Sequence, residues 1–198
     1  HMRLNRELRL SYANQFLAQD RDTVEQAFAG DIVGIVDTGN FQIGDSITGG
    51  QKVVFGELPK FSPELFARLS IKDPLKKKSL QKGVNHLAEE GAIQVYIDPV
   101  VGEQDPIIGV VGELQFEVLL HRLQDEYNLA AKLERMPYSV ARWPRNKEGA
   151  PYSDMIEGGV RSFRDSKDQQ VILLEREWDL GWVQKQNPDL EFFSTSLI

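Results

Sequence analysis

Between Pro63 and Met136 the period of the apolar residues switches from strand-like to helix-like and back, twice over. Pro63 to Ile71 ends in Leu-Phe-Ala-Arg-Leu-Ser-Ile, a strand pattern, and Asp73-Pro74 then reads as a helix N-cap followed by proline at the first helical position. The helix is expected to run to about Glu90, with Leu80, Val84, Leu87 and Ala88 on one face and Gly91 closing it. A strand follows over Ala92 to Ile97, with Ile93, Val95 and Ile97 alternating. Asp105-Pro106 marks a turn into the buried strand Ile107 to Val111. Phe116, Leu119, Leu120, Leu123 and Tyr127 then recur at helical spacing, and Ala130 to Met136 returns as a strand. Strand, helix, strand, strand, helix, strand is the order of the split β-α-β unit of ferredoxin-like domains.

The flanking segments read differently. From Leu8 to Phe61 turn signals such as Gly30-Asp31, Thr38-Gly39-Asn40, Gly44-Asp45 and Gly49-Gly50 interrupt short apolar runs. Ile32 to Val36, Asn40 to Ile43 and Val53 to Phe55 are the expected strands of an antiparallel sheet or an incomplete small barrel. Arg3 to Arg9 alternates charge with leucine and fits a strand or a helix. His1-Met2 reads as a cloning remnant, so the chain is expected to begin partway through a domain. After the central unit, Trp143 to Gly159 reads as a loop, Gln170 to Leu174 as a strand, Glu177 to Asn187 as a helix stopped by Pro188, and Leu190 to Phe193 as a strand extending the same sheet.

Composition narrows the chemistry. The 198 residues include no cysteine, which removes disulfides, thiol nucleophiles and Cys-ligated zinc. Beyond His1 only His86 and His121 supply imidazole, and neither has a partner at metal spacing, so both are read as structural. The net charge of -7 is spread evenly, so any nucleic-acid contact must be a local basic patch. No apolar run reaches the roughly 20 residues of a membrane helix, and neither a membrane nor DNA is expected as a partner.

Several motifs invite an enzymatic reading. Asp37-Thr38-Gly39 resembles the signature of aspartic proteases, whose chemistry needs two carboxylates sharing a proton; one copy would demand a homodimer, and a hairpin turn explains it without catalysis. Gly44-Asp45-Ser46-Ile47 echoes Gly-Asp-Ser hydrolases, yet no histidine follows His121 to complete a triad. Asn146-Lys147-Glu148-Gly149 lacks the aspartate that reads guanine, and no Gly-x-x-x-x-Gly-Lys-Ser/Thr phosphate loop occurs. No nucleotide site or metal site is expected in this chain. The strongest anomaly is Lys76-Lys77-Lys78, with Lys72 and Lys82 nearby, crowding the first turn of a helix whose dipole prefers anions there. A solvated face and a contact for phosphates both account for them. Arg142, Trp143, Arg145 and Lys147 form a smaller basic-aromatic cluster in which Trp143 is read as core.

Read as a string, AGDIVGIVDTGNFQIGDSI at 29–47 resembles the closing strands of the β-barrel second domain of translational GTPases. The stretches 61–96 and 109–134 resemble the domain that follows it. Elongation factor G shares this framework but usually has histidine where Gln115 stands. Leu114-Gln115-Phe116, Pro-Glu-Leu-Phe at 63–66 and Ala141-Arg142-Trp143 are similar to the bacterial peptide chain release factor 3 family, the class II release factors. The likeness covers roughly residues 8–143 and is loose beyond, apart from Asn-Pro-Asp-Leu-Glu-Phe at 187–192.

That resemblance implies an α+β chain: a partial antiparallel β-barrel over 3–60, of the translation-factor domain 2 type, then a ferredoxin-like α/β sandwich domain over 61–198. It implies a cytoplasmic, non-catalytic, ribosome-binding part of a GTPase that speeds the departure of class I release factors after peptide release. GTP and Mg would belong to an N-terminal GTPase domain of the full-length protein, itself an expected partner. Small-subunit RNA and protein would be the docking surface, with Lys72, Lys76, Lys77, Lys78, Lys82, Arg142 and Arg145 as candidate contacts. Alternatives are an elongation factor G relative, a ribosomal protection factor, or the homodimeric protease.

Overall fold

Ordinary side-chain alternation builds the larger of two compact units, Pro59–Ile198; the smaller is His1–Leu58. The computed structural model describes residues 1–10, 14–17, 20–23, 26–37, 39–41, 43–53, 55 and 61–196. In the smaller unit β1 (Asn14–Leu17) pairs antiparallel with both β2 (Asp20–Thr23) and β3 (Val33–Gly34), giving the order β2-β1-β3. Of the expected run Ile32 to Val36 only β3 is laddered, and the described residues of 40–43 and 53–55 form no strand; Gln42 and Val54 lie outside the described residues. Arg3 to Arg9 is neither strand nor helix. Its start is a turn, with Asn5 at φ 46, and the Arg3 guanidinium forks onto Asp45 at 2.6 and 2.8 Å and reaches the Asn40 carbonyl at 2.9 Å.

The Asp37 carboxylate belongs to a turn. Its Oδ1 accepts from the backbone N–H of Gly39 (2.8 Å), Asn40 (3.0 Å) and Phe41 (3.3 Å), and Gly39 takes φ +85. This is the local side-chain-to-backbone bonding that makes Asp a turn residue. Thr38 lies outside the described residues.

The larger unit follows the expected split β-α-β order. β4 (Leu65–Ile71), α1 (Lys77–Glu89), β5 (Gln94–Asp98), β6 (Gly102–Val110), α2 (Glu113–Tyr127) and β7 (Ala131–Arg135) assemble antiparallel in the order β5-β6-β4-β7. Ala67, Leu69, Val95, Ile108 and Val110 point from this sheet into a core shared with Leu80, Val84 and Leu87 of α1 and Phe116, Leu119 and Leu123 of α2. The next residues along each strand, Phe66, Tyr96 and Ile107, necessarily face the other way.

What they face is the later part of the same unit. β8 (Val140–Asn146), β9 (Ser162–Asp165), β10 (Gln170–Leu174) and β11 (Leu190–Phe193) extend the sheet to eight strands, in the order β11-β8-β10-β9-β5-β6-β4-β7. The edge strands β11 and β7 are not paired with each other, so the sheet stays open. Ala141, Trp143, Phe163, Val171 and Leu173 meet Phe66, Tyr96 and Ile107 in a second core. On the far side, Ile172, Leu174 and Val140 pack under Val183 of α3 (Glu177–Gln186).

Two expectations are corrected here. Trp143 to Gly159 is not all loop, because β8 runs through Asn146, and β9 was not foreseen. Pro144 and the charges around it mask a strand whose alternate residues are buried against Tyr96 and its neighbours. Asp105-Pro106 is not the turn either. The turn is at 99–101, and β6 passes straight through Pro106. The β5–β6 register jumps between Tyr96↔Ile107 and Asp98↔Gly102, so Pro106 sits in the irregular part of the ladder, where a missing N–H loses no bond.

Close approach at Gly109 serves the second core. A Cβ there would lie 2.8 Å from Tyr96 Cε2 and 3.0 Å from Pro63 Cβ. The Tyr96 ring stands 5.8 Å from that of Phe66 and 6.2 Å from that of Trp143, and its burial drives the phenol pKa well above the ordinary value, with Asp165 adding to it. Asp165 ties the same region together: Oδ2 accepts from Trp143 Nε1 at 2.8 Å, while Oδ1 accepts from the N–H groups of Lys167 and Gln169, both at 2.9 Å. Asp165→Ala leaves the buried indole N–H unpaired and is expected to lower stability by about 1–3 kcal/mol, read from a urea midpoint.

A second check concerns the α1–α2 surface. Arg122 hydrogen-bonds Glu90 and Glu126, which pushes its pKa up, and Arg122 in turn holds the Glu126 carboxyl below its ordinary value. A depressed carboxyl contributes stability above its unfolded pKa, about 4.3, and loses that contribution as pH falls through the folded value. In Arg122→Gln the Glu126 carboxyl should titrate closer to its ordinary value by NMR, and the acid-side slope of stability should flatten.

Candidate nucleic-acid interface

The basic cluster forms where β4 gives way to α1. Asp73 Oδ1 accepts from Leu75 N at 3.0 Å, and Pro74 opens a single 3-10 turn, Pro74–Lys76, before α1 starts at Lys77. The three lysines therefore straddle a 3-10 turn and the first α-turn, and that first turn holds no acidic residue. Their side chains divide into two groups. Lys76 Nζ donates to the Asn128 carbonyl at 2.7 Å, and Asn128, at φ 52, is the left-handed residue that closes α2. A cation at that C-terminus complements the dipole of α2 and offsets the unfavourable position at the start of α1. Lys77 Nζ donates to Gln104 Oε1 on β6. Lys72, Lys78 and Lys82 are exposed and have no hydrogen-bond or ion-pair partner among the described residues. Lys78 and Lys82 are one helical turn apart and share a face.

The two candidate arginines are placed elsewhere and are engaged internally. Arg142, on β8, gives both of its Glu177 bonds from Nη2, at 2.7 and 2.9 Å, and pins the start of α3; its side chain is 15% exposed. Arg145 Nη2 donates to the Thr195 carbonyl at 2.9 Å, with the guanidinium 4.0 Å over the Phe193 ring. The structure thus gathers Lys72, Lys76, Lys77, Lys78 and Lys82 at the start of α1 and leaves Arg142 and Arg145 on the other half of the sheet. The histidines are similarly accounted for: His86 Nδ1 lies 2.8 Å from Tyr127 Oη, and His121 pairs with Asp125 one turn along α2.

Gln115 proves to be a structural clasp. Its Oε1 accepts from Val111 N (2.9 Å) and Gly112 N (3.0 Å), and its Nε2 donates to the Ala92 carbonyl (2.8 Å), joining the start of α2 to the segment before β5. A feature missed from the sequence is an exposed pair on α3, Trp178 and Trp182. Their i, i+4 spacing was visible, but that spacing ordinarily marks a buried face. Among the described residues no group of three or more His, Cys, Asp or Glu is placed to hold a metal, and no helix is long and apolar enough to cross a membrane.

Comparison with known proteins gives these positions a context. Residues 55–184 match the family described as class II release factor RF3, C-terminal domain. The chain belongs to that family. Residues 1–50 match elongation factor G domain 2. Among curated relatives, the chain is 46% identical over 99% of its length to peptide chain release factor 3 of Symbiobacterium thermophilum. It is 43% identical to the proteins of that name from Listeria monocytogenes and Acaryochloris marina, over 97% and 96% of its length. The chain spans 37%, 36% and 35% of those three relatives. It is thus a translation-termination factor domain of α+β fold, preceded by part of a translation-factor β-domain.

The role given to Lys76 has a direct test. Lys76→Met should speed amide exchange in the last turn of α2, Leu123 to Asn128, by about two- to fivefold, while amides of β10 stay unchanged.

Proposed function

We propose that this chain is a ribosome-docking portion of a translation-termination GTPase, and that it contacts ribosomal RNA phosphates through the start of α1. The observation that carries this reading is the division among the lysines. Lys76 and Lys77 have internal partners, whereas Lys72, Lys78 and Lys82 leave three ammonium groups unspent in a chain of net charge -7. Unpaired lysines beside a helix N-terminus suit a phosphate backbone, because both supply positive potential to the same oxygen atoms. Arg142 and Arg145 have a smaller part in this reading, since contact with RNA would cost them Glu177 and Thr195.

In the same reading, residues 3–60 are the later part of a domain 2 barrel and 61–198 a ferredoxin-like, release-factor-3-type domain, in keeping with the compact units His1–Leu58 and Pro59–Ile198. GTP and Mg are bound by an N-terminal GTPase domain, for which these residues offer no phosphate loop. The full protein acts in the cytoplasm and promotes departure of class I release factors, and this portion docks on small-subunit RNA and protein without catalysing a reaction. An elongation factor G or ribosomal protection assignment is disfavoured by the family match over 55–184.

Co-sedimentation with ribosomes between about 50 and 200 mM salt tests the proposal. Lys72/Lys78/Lys82→Ala should weaken binding and reduce the log–log salt slope by about 2–3, close to one unit per lost phosphate contact. An unchanged slope in a variant that melts normally would remove the lysines from the interface.

A further inference from the structure

A groove of about 450 Å³ opens between α3 and the ends of β9 and β10, away from the lysine-bearing turn. Tyr138, Trp178, Trp182 and the paired glycines Gly158 and Gly159 line it, with Glu175 at its rim. Trp178 is 78% exposed and Trp182 55%, although their neighbour Val183 is fully buried in the core beneath. Two indoles left in water on one helical face make an apolar patch with no covering segment among the described residues.

The charges around the groove state what would cover it. Every guanidinium beside it already holds a carboxylate: Arg161 with Asp98, Arg176 with Asp179, and Arg142 with Glu177. Glu175, which lines the groove, has no ion-pair partner among the described residues and helps to hold Arg176 charged. The groove is therefore aromatic with a net negative rim. One indole is already used as a cation platform, since the Arg176 guanidinium lies 5.8 Å from the centre of the Trp178 ring. Of the charged residues that line the groove, Arg161, Glu175 and Asp179, none is a cation free of a carboxylate. The exposed Lys185 on the same face of α3 lies outside the lining, so a phosphodiester backbone would meet Glu175 first, which disfavours RNA. An arginine or lysine side chain finds both an indole face and an acidic neighbour.

We propose that this groove is a docking site for a basic, partly apolar peptide segment of a protein partner, held by Trp178 and Trp182 with Glu175 as its charge complement. The site is separate from the lysine surface, so its failure would leave the ribosomal reading standing. The test titrates the folded chain with the peptide (Arg-Leu)3 by calorimetry at physiological salt, beside (Glu-Leu)3 and a single-stranded oligouridine. Saturable one-site binding of (Arg-Leu)3 alone is expected, weakened at least tenfold in Trp178→Ala/Trp182→Ala and severalfold in Glu175→Gln. Glu175→Gln, a surface change, decides the matter if the tryptophan variant does not fold. Absence of saturable binding, or binding that Glu175→Gln leaves unchanged, overturns the proposal. So does oligouridine binding that the tryptophan variant abolishes, which would make the groove an RNA surface.

Discussion

The larger unit depends on a narrow join. Its eight strands form one sheet only because β9 lies against β5, and that ladder registers just two residue pairs, Tyr96↔Asp165 and Ile97↔Arg164. So few backbone bonds contribute little net free energy in water. The join holds because Tyr96 is also the centre of the aromatic core beneath it, between Phe66 on one half of the sheet and Trp143 on the other. Asp165 then binds the Trp143 indole and organises the β9–β10 turn with one carboxylate. Burial supplies the energy, and the polar contacts choose the register.

Internal pairing also sorts the charged surface into structural and available groups. Lys76, Lys77 and Lys78 are consecutive in sequence, yet the first closes a second helix, the next binds a glutamine on a neighbouring strand, and the last has no partner among the described residues. The same sorting makes Arg142 and Arg145 parts of the frame, and it leaves the α3 groove acidic although three arginines surround it. Net charge and local composition describe neither surface, because an ion pair cancels at short range what a residue count records as two charges.

Legibility from sequence varied with the kind of signal. The elements from β4 to β7 were readable because each carries a clear two- or 3.6-residue period, with Asp73-Pro74 and Gly91 as punctuation. β8 was partly lost to Pro144 and its charged neighbours, and β9 was not foreseen because four residues, Ser-Phe-Arg-Asp, carry too short a pattern. Pro106 was read as a turn because proline usually marks one, and the register irregularity at its own place in the β5–β6 ladder admitted it to a strand. The smaller unit shows the converse. Its dense glycine and aspartate turns were legible, and Asp37 does cap a turn, but β1 and β2 fall where no run was read as a strand, and only Val33–Gly34 of the run Ile32 to Val36 is laddered.

The sequence by itself determined the split β-α-β order, the family to which the chain belongs, and the position of a lysine-rich helix start. These depend on local periodicity, local capping and residue identity along the string, all of which act between near neighbours. Only the tertiary structure decided which lysines are spent, that Gln115 clasps α2 to the segment before β5, and that Trp178 and Trp182 stand in solvent over an acidic groove. Those outcomes turn on partners far apart in the chain, such as Lys76 with Asn128 or Arg161 with Asp98. A side chain's charge and apolar surface acquire a role only when folding fixes what lies within a few ångströms of them.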